Sequence, residues 1–480
     1  MKLNELLYNI DCEIINNRNI EVTQITFDSR DIHEGALFIA QSGVHVDGHN
    51  YITSAIEKGA SAIVCQQLPA DIKADVVYIK TENSSKVLGL MASTFYGNPS
   101  KKLKLIGITG TNGKTTTVTL LHKLFRQIGY NTGLISTIVN KINEKEIPST
   151  HTTPDAVALN RLLSEMVDNS CEYCFMEVSS HSIVQARIAG LQFYGAIFSN
   201  ITHDHLDFHK TFAEYIAAKK MFFDNLPTSA FALTNIDDRN GLVMLQNTKA
   251  KKYTYSIQEI ADFNVKILEN TFQGLLININ GKDVWTRLVG RFNAYNLLAI
   301  YATTRLCGID EMEALTQLSN LQAAEGRFEY VTGEGKTAIV DYAHTPDALK
   351  NVLQTINDIR LDNQKLITVV GCGGDRDSSK RPVMANIAAN MSDTVILTSD
   401  NPRTEDPEKI LNDMEEGLNN TLKEKTIRIT NRQQAIKTAC KLAQNGDIIL
   451  VAGKGHEKYQ DINGVKHHFD DKEELINILK

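Results

Sequence analysis

The stretch Leu105–Ile128, LIGITGTNGKTTTVTLLHKLFRQI, constrains the fold of this chain most strongly. An apolar β-branched run leads into the loop Gly110–Thr116, and apolar residues then recur at helical spacing. The pattern predicts a strand, a loop and a helix, which together present backbone N–H groups and a positive helix end to phosphate. Lys114 is expected to reach the terminal phosphates of a nucleoside triphosphate, and the Thr115 hydroxyl to ligate Mg²⁺. An ordinary glycine turn is the alternative, because Gly107 stands one residue too early for the strict phosphate-loop pattern.

Length and composition limit the classes of protein to which the chain can belong. With 480 residues, two to four domains are expected. The net charge of −7 argues against a nucleic-acid-binding surface. Seven cysteines, an odd number, do not suggest a disulfide framework, and Cys171 and Cys174 lie in an apolar run that predicts buried thiols. Since no apolar run could span a bilayer and the N-terminal residues lack a signal-peptide pattern, a cytoplasmic protein without membrane insertion is expected.

Two predicted strands after the loop end in acids and histidines. The run CEYCFMEVSSHS predicts a strand that ends in Glu177, Ser179, Ser180 and His181. The run GAIFSNITHDHLDFHK predicts another, which ends in three histidines and two aspartates within seven residues. Parallel sheets bind ligands at the carboxyl ends of their strands, so both runs are expected to face a site. Glu177 is the natural metal partner of Thr115. For the second run, a polar loop with chance histidines is the weaker alternative; its polar residues are His203, Asp204, His205, Asp207 and His209.

A lysine on an apolar helix face is a further candidate. The run TFAEYIAAKKMFFDNL predicts a helix on which Lys219 lies four residues from both Tyr215 and Phe223. Such a lysine can simply extend its ammonium group to solvent. A functional lysine is the competing interpretation, because burial would lower the pKa of the amine and make it reactive.

The remaining chain predicts a β-rich segment and a second doubly wound domain. Residues from about 250 to 290 indicate strands, and the helix in GRFNAYNLLAIYATTRL begins near Asn293 and Asn296, whose amides could hold a purine or cap the helix. The final third alternates strands and helices. Four of its strands end in the loops DYAHTPD, GCGGDRDSSKRP, SDNPRTEDP and AGKGHEKY, which are expected to line one rim of the sheet. There is no GxGxxG fingerprint, so a dinucleotide is not implied.

Eight short motifs occur in this order: GTNGKTT, MEVSSH, HDHLDFH, GRFNAYN, EGRFE, VDYAHTPD, GCGGDRD and AGKGHE. Through them the chain resembles the Mur ligase family over essentially its whole length. The resemblance implies an α/β fold with three domains: a UDP-sugar-binding domain over 1–100, a central P-loop ATPase with a mostly parallel sheet over 101–328, and a Rossmann-like amino-acid-binding domain over 329–480.

The resemblance also implies an activity. Mur ligases are ATP-dependent enzymes that form amide bonds in peptidoglycan precursors through an acyl phosphate, with Mg²⁺ as cofactor. Within the family, Asp400-Asn401-Pro402-Arg403 matches the members that add meso-2,6-diaminopimelate to UDP-N-acetylmuramoyl-L-alanyl-D-glutamate. Diaminopimelate carries a second amino-acid end, whose carboxylate Arg403 can pair with bidentately while Asp400 and Glu457 take its ammonium group. The chain is expected to act as a monomer on these small molecules.

By the same resemblance, each substrate has its own set of residues. Lys114, Glu177, His205 and a carbamylated Lys219 (N6-carboxylysine) are expected to be catalytic, with one Mg²⁺ on Thr115 and Glu177 and a second on His205 and Lys219. The expected ATP-binding residues are Gly110, Thr111, Asn112, Gly113, Lys114, Thr115, Thr116, Asn293, Asn296, Arg327 and Asp341. The UDP-sugar dipeptide is expected to contact Ser29, Val44, His45, Val46, His151, Thr152, Thr153, Ser179, Gln185 and Arg187. The amino acid is expected to contact Arg376, Asp400, Asn401, Pro402, Arg403, Gly453 and Glu457.

Three other functions compete with this interpretation. A lysine-adding Mur ligase is the nearest, and Arg403 argues against it because lysine has no distal carboxylate. A ligase like folylpolyglutamate synthase would lack the N-terminal domain and the DNPR motif. A non-catalytic, nucleotide-gated binding protein would not need Lys114, Glu177, His205 and Lys219 together.

Overall fold

A computed structural model describes residues 1–43, 46–149, 151–202, 204 and 206–480, with the description of 206 and 207 limited to the backbone. Over these ranges the chain is a mixed α/β protein with three large, mostly parallel sheets, which confirms the predicted fold class. In the same ranges no helix is long and apolar enough to cross a membrane.

The N-terminal part of the chain forms a five-stranded sheet. Its strands are β1 (Glu13–Ile15), β2 (Gln24–Thr26), β3 (Ala36–Ile39), β4 (Ala60–Cys65) and β5 (Val77–Lys80). Its helices are α1 (Leu3–Leu6), α2 (Ile52–Glu57) and α3 (Ser84–Phe95), with 3₁₀ turns at Gly48–Tyr51 and Pro99–Lys101. The strand order is β1-β5-β4-β3-β2, and only the β1–β5 pair is antiparallel. Apolar side chains on the two faces of the sheet form two separate cores.

The middle of the chain forms a nine-stranded sheet. Its strands are β6 (Lys104–Thr109), β7 (Thr132–Ile135), β8 (Val139–Ile142), β9 (Lys145–Pro148), β10 (Tyr173–Glu177), β11 (Gly195–Phe198), β12 (Phe231–Asn235), β13 (Lys251–Ser256) and β14 (Phe263–Asn264). Its helices are α4 (Lys114–Ile128), α5 (Ala156–Asp168), α6 (Ser180–Val184), α7 (Leu206–His209), α8 (Phe212–Asp224), α9 (Gly241–Met244), α10 (Arg291–Leu306) and α11 (Glu311–Asn320). The strand order is β14-β13-β12-β11-β6-β10-β7-β8-β9, with antiparallel pairing confined to β7, β8 and β9.

Strand β6 lies in the interior of this sheet, between β10 and β11. Its apolar run is buried, as expected for a parallel strand with helices on both faces. Glu177 at the end of β10 pairs with Ile108, and Phe198 at the end of β11 pairs with Thr109. The carboxyl ends of three strands therefore meet at the loop that follows β6.

A small antiparallel sheet confirms the predicted β-rich segment. Its strands are β15 (Lys266–Thr271), β16 (Gly274–Ile279) and β17 (Lys282–Thr286). Its buried residues Leu275, Ile277 and Ile279 belong to the same apolar core as α4 and α10. The sheet thus covers the outer side of the helices that support the phosphate loop.

The C-terminal part forms a six-stranded sheet, which confirms the predicted doubly wound arrangement. Its strands are β18 (Glu329–Gly333), β19 (Lys336–Asp341), β20 (Leu366–Val370), β21 (Thr394–Leu397), β22 (Thr426–Arg428) and β23 (Ile448–Ala452), followed by the hairpin β24 (Tyr459–Ile462) and β25 (Val465–His468). Its helices are α12 (Pro346–Ile359), α13 (Lys380–Met391), α14 (Pro407–Glu415), α15 (Asn420–Glu424), α16 (Arg432–Leu442) and α17 (Asp471–Leu479). The order is β18-β19-β23-β20-β21-β22, with β18 antiparallel, and apolar cores lie on both faces.

Candidate active site

The phosphate loop joins β6 to α4 with the geometry expected from its glycines. Gly113 immediately precedes α4 with a φ of +86°, and a Cβ built there would lie 2.6 Å from Asn296 Oδ1. Lys114 Nζ folds back on the loop and donates to the carbonyls of Gly110 and Thr111 at 2.9 and 2.8 Å. Burial lowers the pKa of Lys114, although the negative charges of Glu177 and Asp204 oppose this shift. Among the residues that the structure describes, the hydrogen-bond acceptors of this lysine are thus carbonyl oxygens rather than a carboxylate, an arrangement open to an anionic ligand.

Lys219 contacts the same loop. It is 1% exposed on α8, and its Nζ donates to Gly110 O at 2.8 Å and to Thr109 Oγ1 at 3.4 Å. The ammonium group therefore does not extend to solvent, so that interpretation is wrong, and the functional one stays a prediction. Burial, followed by the charge of Lys114, lowers the pKa of Lys219 well below its usual value. Two amines thus share the carbonyl of Gly110, and burial lowers the pKa of each.

Glu177 ends β10 as a buried carboxylate. Its Oε1 accepts a hydrogen bond from Thr137 N at 2.8 Å, and its Oε2 accepts one from Thr137 Oγ1 at 3.2 Å. The buried Thr115 hydroxyl stands in the first turn of α4. Both groups offer oxygen, which Mg²⁺ prefers. Within the described ranges no group of three or more His, Cys, Asp or Glu could hold a metal ion. The predicted Mg²⁺ sites therefore stay a prediction, and His205 lies outside the described residues.

Asn293 and Asn296 form a buried amide pair in the first two turns of α10. Asn293 Nδ2 donates to Val289 O at 2.8 Å, and Asn296 Nδ2 donates to Asn293 Oδ1 at 3.0 Å. The N-cap position itself is Gly290, so neither amide caps the helix in the usual sense. Since Asn296 lies against Gly113, the pair adjoins the phosphate loop, and its predicted contact with a purine stays a prediction.

Arg327 links the phosphate loop to the C-terminal sheet. Its Nη2 lies 3.4 Å from Thr115 Oγ1, and its Cζ lies 4.8 Å from the ring centre of Tyr342. Its Nε is buried and has no hydrogen-bond partner among the described residues. Asp341 ends β19, where its Oδ2 accepts a hydrogen bond from Phe328 N at 2.7 Å. Burial raises the pKa of Asp341 to about 6, although Arg327 opposes the shift.

A second contact between the phosphate loop and the C-terminal part, which the sequence did not predict, runs from Asn112 Nδ2 to Asp347 Oδ2 at 2.7 Å.

Several residues predicted to bind the UDP-sugar dipeptide lie beside Glu177. Thr153 Oγ1 donates to Glu177 O at 2.8 Å, and Arg187 Nη1 donates to Thr153 O at 2.8 Å. Burial lowers the pKa of Arg187. Ser179 Oγ caps α6 by accepting from the backbone of residue 182. The remaining predicted residues of this region are Thr152, which contacts Thr137, half-buried Gln185 and exposed His151.

The predicted residues of the first sheet are less constrained. Ser29 is half-buried, and its carbonyl accepts a hydrogen bond from Lys58 Nζ at 2.7 Å. Val46 is exposed, whereas Val44 and His45 lie outside the described residues. The structure thus brings this group of predicted residues together only in part.

The predicted amino-acid site lies at the carboxyl rim of the C-terminal sheet. Asp400, three residues after β21, is buried, and its Oδ1 accepts a hydrogen bond from Asn401 N at 2.7 Å. Gly453 follows β23 with a φ of +118°, and a Cβ there would lie 2.5 Å from Asp400 Oδ2. Glu457 Oε2 accepts from Asn401 Nδ2 at 2.7 Å, and its Oε1 accepts from Tyr342 OH at 3.3 Å. Burial and the charge of Asp400 raise the pKa of Glu457.

Arg403 and the 371–376 loop complete this rim. Arg403 Nη1 donates to Gly374 O at 2.7 Å, and its backbone N donates to Asp461 O at 3.0 Å. Pro402 is buried, while Arg376 is exposed. The predicted convergence of the four loops on one rim is confirmed, because residues from all four contact one another.

Three residues that contact the candidate site were not predicted from the sequence. Thr137 follows β7 and hydrogen bonds Glu177, but a lone threonine after a strand carries no local pattern. Asp347 lies within the noted DYAHTPD loop, and Lys454 within AGKGHE. Lys454 could have been noticed as a charged residue two positions after the apolar run of β23, where its side chain is fully buried.

Family models match three segments of the chain in order. They are described as "Mur ligase family, catalytic domain" over residues 21–96, "Mur ligase middle domain" over 108–304, and "Mur ligase, glutamate ligase domain" over 326–455. The chain belongs to the Mur ligase family.

Two relatives and one solved structure place this Mur ligase more closely. A protein of Cytophaga hutchinsonii named UDP-N-acetylmuramoyl-L-alanyl-D-glutamate--2,6-diaminopimelate ligase is 57% identical over 485 residues, covering 100% of both chains. A Bacteroides fragilis protein of the same name is 55% identical over 481 residues, covering 100% of this chain and 99% of its own. A solved structure of an enzyme with that name has a TM-score of 0.72 at 32% identity, covering 100% of this chain and 98% of its own.

Proposed function

We propose that this Mur ligase uses ATP to join meso-2,6-diaminopimelate to UDP-N-acetylmuramoyl-L-alanyl-D-glutamate. The observation that carries the proposal is the link through Arg327, whose guanidinium group lies beside both Thr115 and Tyr342. Tyr342 in turn donates to Glu457 in the rim of the C-terminal sheet. The phosphate-binding loop and the carboxylate of Glu457 are thus linked through one arginine and one tyrosine, as a reaction between an activated acid and an amine requires.

In the first step, an oxygen of the D-glutamyl side-chain carboxylate attacks the γ-phosphorus of ATP. The bond from that phosphorus to the bridging oxygen breaks, and ADP leaves with the electron pair. Both reactants are anions, so cationic and N–H groups must offset their repulsion. Lys114 and the amides at the start of α4 offset the charge of the phosphates, and Arg187 offsets the charge of the UDP-sugar dipeptide.

In the second step, the amine of the amino acid attacks the acyl carbon. The carbon–oxygen bond to phosphate breaks after a tetrahedral intermediate, and the nitrogen loses a proton to give the amide. Arg327 is placed to stabilise the departing phosphate, because its buried Nε has no acceptor among the described residues.

Mg²⁺, when bound, would screen the charge of the phosphates and lower the barrier to their transfer. Thr115 and Glu177 suit one ion because they offer oxygen donors. Lys219 as an amine would repel a cation, so it fits a metal site only after modification. Its low pKa leaves a neutral amine that can add CO₂ and release a proton, which gives a carbamate anion. His205 and this carbamate are the proposed ligands of a second ion.

The choice of amino acid rests on charge. The distal end of meso-diaminopimelate carries one carboxylate and one ammonium group. Arg403 is proposed to bind the carboxylate, with Arg376 beside it, and Asp400 with Glu457 to bind the ammonium group. Lysine lacks the carboxylate and would leave Arg403 without a partner.

The organisation of the protein is part of the proposal. The three domains are taken as 1–100, 101–328 and 329–480. The first junction falls between the family matches to 21–96 and 108–304, whereas the second falls just inside the match that begins at residue 326. The proposed active unit is a cytoplasmic monomer, since the candidate residues for all three substrates come from one chain. Light scattering after size-exclusion chromatography tests the monomer, and an active dimer that needs both copies would contradict it.

A panel of amino acids tests the function. The purified protein is incubated with ATP, Mg²⁺ and UDP-N-acetylmuramoyl-L-alanyl-D-glutamate, and product masses are recorded for meso-diaminopimelate, lysine and ornithine. We expect the diaminopimelate adduct and equimolar ADP. If a product formed with lysine but not with diaminopimelate, the protein would be a lysine-adding ligase instead. ATP hydrolysis that needs neither the UDP-sugar dipeptide nor an amino acid would refute the proposal.

A further inference from the structure

Lys454 is a buried cation for which the proposed reaction gives no role. It directly follows Gly453 after β23, and its side chain is 0% exposed. A buried ammonium group is costly unless hydrogen bonds and opposite charge compensate for the loss of water. Its Nζ donates to Asn401 Oδ1 at 3.0 Å and to Glu457 Oε2 at 3.3 Å. Both partners belong to the proposed amino-acid site.

Lys454, Asn401 and Glu457 form one hydrogen-bond network in which each residue contacts the other two. Asn401 Nδ2 donates to the same Glu457 Oε2 at 2.7 Å, and Asn401 Oδ1 also accepts from Asp461 N at 2.9 Å. Lys454 therefore ties the loop after β21 to the loop after β23. One oxygen of Glu457 is fully engaged in this network. Within the described part of the chain, the other oxygen accepts only the longer bond from Tyr342 OH, at 3.3 Å.

The charges around the network also need Lys454. Asp400 and Glu457 bring two carboxylates into one buried region. Arg432 lies nearby, but Asp471 binds it bidentately at 2.7 and 2.6 Å, and both side chains of that pair are 0% exposed. The charge of Arg432 is thus largely offset by Asp471, whereas that of Lys454 is available to the two carboxylates.

We propose that Lys454 is a positioning residue for the amino-acid substrate, which keeps Glu457 ionised and oriented so that this carboxylate and Asp400 can bind the distal ammonium group. The proposal rests on the proposed function. Burial and Asp400 raise the pKa of Glu457, and Lys454 and Asn401 oppose the shift. The titratable and charged groups that face Glu457 are Asp400, Lys454, Tyr342, Arg432 and Tyr459. With one cation and two carboxylates, the region keeps one negative charge to match one ammonium group.

The test measures the KM for meso-diaminopimelate from pH 6 to pH 9 in Lys454→Met and Asn401→Ala. Without the cation, Glu457 ionises only at higher pH. We expect Lys454→Met to raise this KM roughly 10- to 100-fold near pH 7, with recovery toward the wild-type value as pH rises. Asn401→Ala keeps the cation but loses the bridge and one hydrogen bond to Glu457, so its KM should rise with a weaker pH dependence than that of Lys454→Met. The KM for ATP should not change in either variant.

Two further variants keep the proposal falsifiable. If Lys454→Met does not fold, Lys454→Gln retains a hydrogen-bond donor without the charge and should show the same pH-dependent loss. Adding Glu457→Gln to either variant should abolish the new pH dependence. A loss that is equal at every pH and extends to ATP would reduce Lys454 to a structural residue and overturn the proposal. A wild-type protein that rejects diaminopimelate would instead refute the proposed function, whatever the variants do.

Discussion

Gly453→Ala tests whether the position of Asp400 determines binding of the amino acid. The φ of +118° at Gly453 is strained for any residue with a Cβ, at a cost of about 1–2 kcal/mol in the free energy of unfolding. The new methyl group would also lie 2.5 Å from Asp400 Oδ2, which is too close for the carboxylate to stay in place. The other oxygen, Oδ1, is held by the hydrogen bond from Asn401 N, so a small shift of the carboxylate cannot relieve the clash. Asp400 must therefore turn away from the rim.

The magnitude follows from the contact that is lost. A hydrogen bond between a carboxylate and an ammonium group contributes about 1.5–3 kcal/mol, which corresponds to a rise of roughly 10- to 150-fold in the KM for meso-diaminopimelate. The assay measures the rate of ADP release as a function of amino-acid concentration, at saturating ATP and UDP-sugar dipeptide. The KM for ATP should stay within about twofold, since typical effects of distant substitutions are small.

Gly446→Ala is the matched control. Gly446 also has a positive φ, +92°, but nothing lies within 4 Å of a Cβ built there. Urea unfolding should show a similar loss of stability in both variants, of about 1–2 kcal/mol. Only Gly453→Ala should lose affinity for the amino acid. If both variants keep the wild-type KM while Gly453→Ala folds, Asp400 does not contact the substrate and the assignment of this rim is wrong.

Three further predictions concern other parts of the site. Arg403→Ala should lose roughly 10- to 150-fold in kcat/KM for meso-diaminopimelate through the lost carboxylate contact, and full activity in product-mass assays would contradict its role. Lys219→Ala should lower kcat at least about 100-fold with the fold intact by circular dichroism, whereas Lys220→Ala, which removes a half-buried ion pair with Asp224, should not. Asp341 has a folded-state pKa of about 6 against 3.8 unfolded, so its ionisation costs stability as pH rises through this window. Asp341→Asn should therefore gain up to about 3 kcal/mol in unfolding free energy relative to wild type between pH 4 and pH 7, and a pH-independent difference in urea titrations would contradict the reasoning.

Much of the fold was readable from local patterns. The apolar runs that became β6, β19, β20 and β23 are short, buried and followed by glycine or acidic residues, which is typical of parallel strands. Among the elements that were missed, one hairpin had a clear local pattern. Asn463-Gly464 joins β24 to β25 with both residues at positive φ, as a two-residue hairpin turn requires.

The candidate site was harder to predict from the sequence, because its residues are far apart in the chain. The spacing of Lys219 placed it on an apolar face and left two interpretations open. Only the packing of α8 against the phosphate loop brought its Nζ to Gly110 O, 109 residues away. The same holds for the network of Lys454, Asn401 and Glu457, which joins loops after two strands that are not neighbours in the sheet.

The sequence by itself determined the phosphate loop, the alternation of strands and helices, and the types of residue that a ligase of this family needs. These features are local, since a glycine that must adopt positive φ or an apolar run that must be buried acts on its own neighbours. The tertiary structure decided which lysines lose their water, which carboxylates share a charge, and that Arg327 connects Thr115 to Tyr342. Burial and charge coupling depend on groups brought together from the whole chain, and no single stretch of sequence contains them.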